Sequence, residues 1–350
     1  MPDRPQRGSW QQQEPEPKPF GKVVLPKHGA RRNLKAEDRP HDRFKRDTDT
    51  DKYYTGKLDC YLRALTPIHV GSGIYELVKD DPVRGLITAD GKVIVPGTSL
   101  KGAVRSIAEA ISDSCLRIAR DEIKRNLSND VRPCDEVKSS HRQSGQEKNR
   151  DPKLCPCCSI FGALGYQGRV SFTDARLIDG KGSTAIHHIQ SPYPPRESAR
   201  FYKDFQRRFN GRKFYFHGEP VAAQRGEPYQ VITEDSELAF TLQFESLTAK
   251  EFCLLLVAMG VLDDVVIKIG GGKQAMLGST EIHLTRLELQ DPEKSFTEFA
   301  AGVHVIQEKI TGFLLDEVGS HNTLINEGAL DELLKIWEYP TERKSPIGMY

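Results

Sequence analysis

No run of apolar residues in this 350-residue chain approaches the roughly 20 that a bilayer-spanning helix needs. Nothing from Met1 onward has the apolar core of a signal peptide, so the expected location is the cytoplasm. Net charge is almost absent: 50 Lys and Arg against 49 Asp and Glu leave +1 with His neutral. That removes any bulk attraction to nucleic acid, and an RNA contact would have to come from local basic patches. Cysteine is sparse and odd in number, seven residues of which four stand unevenly between positions 134 and 158. Such spacing fits metal ligation in a reducing compartment better than a disulfide framework. A hydrophobic content of 37% and a charged content of 28% are those of a soluble protein, long enough for one large or two small domains.

Leu58, Cys60, Leu62, Ala64 and Thr66 alternate with Asp59, Tyr61, Arg63 and Leu65, the period of a strand with one buried face. Gly71, Ser72 and Gly73 come next, and Asp90-Gly91 between two short apolar runs predicts a tight hairpin. Pro96-Gly97 ends it, and Thr98 or Ser99 is the expected cap of a helix carrying Lys101 on its first turn. Val104, Ile107, Ala108, Ile111, Cys115 and Ile118 recur at helical spacing, which predicts a helix to about residue 125. Arg105 lies four residues from Lys101, so the two can hold successive phosphates, unless both serve only as solvated charges.

A glycine loop, Gly270-Gly271-Gly272-Lys273, separates an apolar run from the alternating segment 280–289. A dinucleotide fingerprint would open a helix after its glycines, and a Walker loop would place Ser or Thr after its lysine. Neither condition is met, because the segment after the loop is β-like and Lys273 precedes Gln274.

These pieces together resemble the RAMP superfamily, the RNA-binding backbone proteins of type III CRISPR effector complexes. The likeness rests on Pro67-Ile68-His69-Val70-Gly71-Ser72-Gly73, Pro96-Gly97-Thr98-Ser99-Leu100-Lys101-Gly102, Cys155-Pro156-Cys157-Cys158-Ser159-Ile160-Phe161-Gly162 and the late glycine loop. Gly211-Arg212-Lys213-Phe214-Tyr215-Phe216-His217 is similar to a further RAMP segment. The resemblance spans about residues 56–290. It implies an α+β fold with a ferredoxin-like, RRM-like antiparallel sheet core, a zinc-knuckle insertion at 126–160 and a thumb-like hairpin insertion at 180–234. Residues 1–55, poor in apolar side chains, read as a disordered or extended arm, and 291–350 as a C-terminal helical extension with amphipathic segments at 296–315 and 330–337.

The function so implied is guide-RNA binding within a complex. Its partners would be guide RNA, target RNA, other RAMP-type subunits and the large subunit. RNA contacts are expected from Ser99, Lys101, Arg105, Gly270, Gly271, Gly272, Lys273 and, on the thumb, Arg207, Arg208, Arg212 and Lys213, where basic and aromatic residues interleave. Backbone RAMP subunits that cut target RNA carry an aspartate in the loop before the Pro-Gly-Ser/Thr-Ser-Leu-Lys-Gly motif and use a divalent cation such as Mg or Mn. Here that loop holds Asp80 and Asp81, a few residues short of the family position near Val83-Arg84. A plain solvated turn is the competing reading of Asp80-Asp81-Pro82. Two alternatives to a cutting subunit stay open: a non-catalytic scaffold, and a stand-alone zinc-containing RRM-like RNA-binding protein.

Cys155 and Cys158 have the spacing at which two thiolates meet one zinc, with Pro156 shaping the knuckle. Cys134 is the expected third ligand and His141, Cys157 or Cys115 the fourth. Cys115, on the apolar face of its helix, reads more readily as a buried small hydrophobe. With four protein ligands the zinc would be structural.

Overall fold

The computed structural model describes residues 18–25, 32–33, 53–117, 133–134, 153–190, 211–223, 226–262, 265–297 and 302–344. The spine is β1 (Tyr53–Ala64). Leu58, Cys60, Leu62 and Ala64 are buried on one face, as the alternation requires, while Asp59, Tyr61 and Arg63 point to the other. A hairpin of β2 (Gly71–Val78) and β3 (Asp81–Leu86) comes after it. It turns at Lys79 and Asp80, with φ of 53° and 69°, the left-handed pair that a two-residue turn between twisted strands demands. The turn expected at Asp90-Gly91 is present, with φ of 52° and 73°, and joins Thr88–Ala89 to β4 (Lys92–Val95).

Helix α1 (Gly97–Ala110) differs from the sequence expectation at both ends. Its cap position is Pro96, and neither Thr98 nor Ser99 caps it with a side chain. Instead the Asp174 carboxylate accepts from the Gly97 amide at 2.9 Å. The far end stops at Ala110 rather than near residue 125, where Ser112 donates back to the Ala108 carbonyl at 2.5 Å and Cys115 turns into a group of sulfurs. Along the buried stripe Leu100, Val104 and Ile107 are removed from water, each contributing about 2 kcal/mol.

After a short α2 (Pro156–Phe161) come β5 (Val170–Phe172), β6 (Ala175–Leu177), β7 (Thr184–Ile189), β8 (Glu227–Ile232) and β9 (Glu237–Thr248). The capping box read at Thr248 to Glu251 forms in both directions, at 3.3 and 3.0 Å, and starts α3 (Ala249–Ala258). The chain then runs through β10 (Ser279–Gln290), α4 (Ile310–Val318) and α5 (Glu327–Ile336).

The main sheet has the order β10-β1-β9-β6-β4, every neighbouring pair antiparallel, with β5 also on β9. Leu100 and Val104 of α1 share one core with Phe252 and Leu255 of α3 and the buried face of β1. A second sheet, β7-β8-β3-β2, is antiparallel except where β8 runs parallel to β3. It is tied to the end of β1 by reciprocal backbone bonds between Ile68 and Ile232, at 2.9 and 2.8 Å.

Two further expectations change. Within the segment read as a disordered or extended arm, Phe20–Val24 forms a strand on Gly211–Tyr215, because Phe20 and Val23 are buried and Gly21 lies against Ile336 of α5. In the C-terminal part, the amphipathic segment 296–315 divides into the helix Pro292–Thr297, the strand Val303–Ile306 and α4. The strand takes up the hydrogen-bonding edge of β10 from Leu287 to Gln290, an edge without another partner among the described residues.

Candidate nucleic-acid interface and metal centre

The register of the second sheet sets one residue from each of its four strands in a transverse row. Tyr75 on β2 pairs with Arg84 on β3, Arg84 with Tyr229 on β8, and Tyr229 with His187 on β7. Paired positions share a face, so the four side chains stand side by side. The Arg84 guanidinium lies 5.2 Å from the Tyr75 ring and 5.4 Å from the Tyr229 ring, within cation–π range. Glu227 fixes the group: its Oε1 accepts from Tyr75 Oη at 2.5 Å and from Arg84 Nε at 2.6 Å. The desolvation of Glu227 raises its pKa, but the bonds from Arg84 and Tyr75 outweigh it and hold the carboxyl below its ordinary value. Buried His69 packs edge-on against Tyr229 at 4.8 Å and holds the Gln230 carbonyl at 2.7 Å. Burial lowers its pKa, so the ring is neutral at pH 7.

The glycine loop lies on the same face. Ala275 and Leu277 pack with Ile189 and Val231, which share the face of His187 and Tyr229. Gly270 has φ of 84°, and a Cβ there would stand 2.3 Å from the His69 carbonyl, so only glycine fits. The Gly271 amide donates to that carbonyl at 2.8 Å, which joins the loop to the Pro67–Val70 motif. Gly271 is exposed, Gly270 and Lys273 are partly buried and Gly272 is buried. Burial lowers Lys273 to about 8. Lys268, buried beneath the loop and bonded to the Leu277 carbonyl at 3.0 Å, falls to about 7 through burial and then the charge of Lys273.

The remaining RNA-contact candidates are dispersed. Ser99 is partly buried on the first turn of α1, and Lys101 Nζ donates to the Val170 carbonyl at 2.7 Å. The pairing of Lys101 with Arg105 on one phosphate-binding face is not what the structure holds. Arg105 is 8% exposed and bonds Glu109 at 2.7 Å, the Gly162 carbonyl at 2.8 Å and Cys158 Sγ at 3.3 Å. Arg212 reaches the other oxygen of Glu109 at 2.8 Å, and Lys213 sits 4.6 Å from the Phe20 ring and 4.5 Å from the Tyr215 ring. Arg207 and Arg208 lie outside the described residues. Asp80 and Asp81 are exposed at the β2–β3 turn. Among the described residues the cysteine group is the one cluster with metal-ligand geometry, and neither aspartate belongs to it.

That group is Cys115, Cys134, Cys155 and Cys158, all buried, with ligand atoms within 4.8 Å of one another. The expectation that Cys115 is a core hydrophobe is overturned: its Sγ stands 3.5 Å from both Cys155 and Cys158. A tetrahedron with Zn–S bonds of about 2.3 Å has S–S edges of about 3.8 Å, so the donor set fits a metal such as zinc. Cys155 begins α2, and its sulfur accepts from the Cys158 amide at 3.4 Å. Its contacts with the sulfurs of Cys115, then Cys134 and Cys158, pull its thiol pKa far below the ordinary value. Cys157 is turned away to Ser112 and Ser114, and His141 lies outside the described residues. Arg105 supplies positive charge beside Cys158, and Ser159 and Arg169 tie α2 to Glu251 of α3.

A family model for the RAMP superfamily matches residues 61–281, from the middle of β1 into β10. The chain belongs to the RAMP superfamily. Among curated proteins none matches it. The matched span takes in the cysteine helix, the whole second sheet, strands β4, β6 and β9 of the main sheet and the glycine loop, and RAMP membership carries the superfamily-level role of a CRISPR-associated RNA-binding subunit. Sequence reasoning missed Tyr75 and Tyr229, which only the strand register brings to Arg84, and Lys268, which its bond to the Leu277 carbonyl places beneath the glycine loop.

Proposed function

We propose that this RAMP protein is a guide-RNA-binding backbone subunit of a type III CRISPR RNA-targeting effector complex, built on a ferredoxin-like core and stabilised by a structural zinc. The order β10-β1-β9-β6, with α1 and α3 in the connections, supports the ferredoxin-like reading. The observation that carries the function is the aromatic and cationic face beside a glycine loop that brings exposed backbone and Lys273 together. Guide and target RNA, sister RAMP subunits and the large subunit are its proposed partners.

The opposite face of the main sheet, where a stand-alone RRM-like protein would take RNA, favours this reading less. Its cations are paired in place, Lys57 and Arg286 with Glu288 at 3.2 and 2.6 Å and Arg63 with Asp235 at 2.7 Å, as Arg84 is with Glu227 at 2.6 Å, so what distinguishes the favoured face is the glycine loop with Lys273. Scaffolding is also favoured over cutting, because Asp80 in the β2–β3 turn and Asp81 at the start of β3 are exposed and belong to no group of three or more candidate metal ligands among the described residues. Replacing both with alanine is expected to leave guide binding unchanged. Divalent-cation-dependent cleavage at guide-defined positions that disappears in this variant would instead establish the cutting reading, with Asp81 the nearer to the family position.

Lys273 tests the RNA contact directly. Lys273→Ala is expected to weaken RNA binding without sequence preference and to reduce the salt slope by about one, as for one phosphate contact. Because the folded pKa is about 8, the ammonium is present below that pH and lost above it. RNA affinity should therefore fall as pH rises through about 8, and Lys273→Arg, which stays charged, should flatten that profile. Titrations with a fluorescent guide-length RNA between pH 7 and 9 measure both. An unchanged salt slope and pH profile in Lys273→Ala would place this lysine outside the contact.

A further inference from the structure

We infer that Tyr75 is a stacking platform for one unpaired nucleobase, so that this face takes single-stranded RNA with a base splayed out rather than a closed duplex. The inference rests on the RNA-binding reading and names the part of the RNA that the face recognises. Tyr75 is 54% exposed, yet its hydroxyl is held by Glu227 at 2.5 Å and its ring is backed by Arg84 at 5.2 Å. An exposed tyrosine ordinarily spends rotamer entropy when it orders against a ligand. Here that cost is met in advance, because the same carboxylate fixes both the ring and the guanidinium behind it.

The stack is open at one end only. Behind Arg84 come Tyr229 and then His69, which is buried, so a planar ligand can add at Tyr75 and nowhere further in. Leu77, 77% exposed, lies two residues along the same strand and paired with Pro82 on the same face, where it extends an apolar floor beside the ring. At the other end of the row, His187 Nε2 is a buried atom without a hydrogen-bond partner among the described residues. An exposed aromatic ring, a guanidinium edge and an apolar margin match the face of an unstacked base. A closed duplex hides its base faces and offers Tyr75 nothing to stack on.

The test compares two probes of equal length, oligouridylate and its abasic ribose-phosphate counterpart, on the full chain and on Tyr75→Ala and Tyr75→Phe. The parent should bind oligouridylate about tenfold better than the abasic probe, as expected for a stacked base. Tyr75→Ala should lose that preference while keeping the parent's salt slope, and Tyr75→Phe should keep most of it. Retention of the full base preference in a folded Tyr75→Ala protein overturns the inference but leaves the RNA reading standing. Failure of the parent to bind either probe overturns both. If Tyr75→Ala keeps the preference and instead loses a copurifying protein, the hairpin is a protein contact and the stacking role is wrong.

Discussion

Cys115→Ser should strip most of the metal from the purified protein and lower its thermal midpoint by roughly 10 °C, because metal binding and local folding share one free energy. Cys115 stands 3.5 Å from two of the other three sulfurs and is buried with them, so serine removes a donor from a closed set. Elemental analysis and a melting curve in the presence and absence of a chelator read both effects. Cys157→Ser is the matched control, since Cys157 is as buried but faces Ser112 and Ser114. It should keep its metal. Stoichiometric metal in Cys115→Ser would show that the fourth donor lies elsewhere.

Arg105→Met should cost about 3 kcal/mol of stability and weaken metal affinity by at least roughly tenfold. The guanidinium is buried against Glu109, the Gly162 carbonyl and Cys158 Sγ. Removing it leaves the Glu109 carboxylate with Arg212 alone and takes positive charge from beside a centre that four thiolates make negative around a divalent ion. Methionine fills similar volume, so lost packing is a small part of the effect. Chemical denaturation and competition for metal against a chromophoric chelator measure the two losses. The RNA salt slope should stay at the parent value, which separates this role from the phosphate contact that helical spacing alone indicates.

The difference between those two roles shows where sequence pattern stops being informative. Period-two alternation locates β1, β9 and β10, and the Thr248 to Glu251 box locates the start of α3, because each depends on residues within one turn or one strand. The motif order around His69, Lys101, Cys155 and the glycine loop also points to the family that the match over residues 61–281 shows. Spacing cannot reveal that Arg105 turns inward, because its partners Gly162 and Cys158 come from more than 50 residues downstream. Cys115 misleads for the same reason: on a regular helix it falls on the core face, but the helix ends at Ala110 and frees it to join the sulfurs. Tyr75, Arg84, Tyr229 and His187 carry no sequence signal as a set, since their row exists only once a parallel pairing joins β8 to β3. The strand Phe20–Val24 is hidden by its polar surroundings, although Phe20 and Val23 supply its buried face.

The proposed function is that of a chain holding a guide RNA as part of a CRISPR assembly. Purifying the tagged chain from its own cells and sequencing whatever RNA comes with it tests this directly. The expected result is a population of short RNAs of uniform length sharing one repeat-derived end, recovered together with other RAMP-type subunits. Recovery of the chain free of RNA and of such subunits, or with RNAs that share no common end, would contradict it.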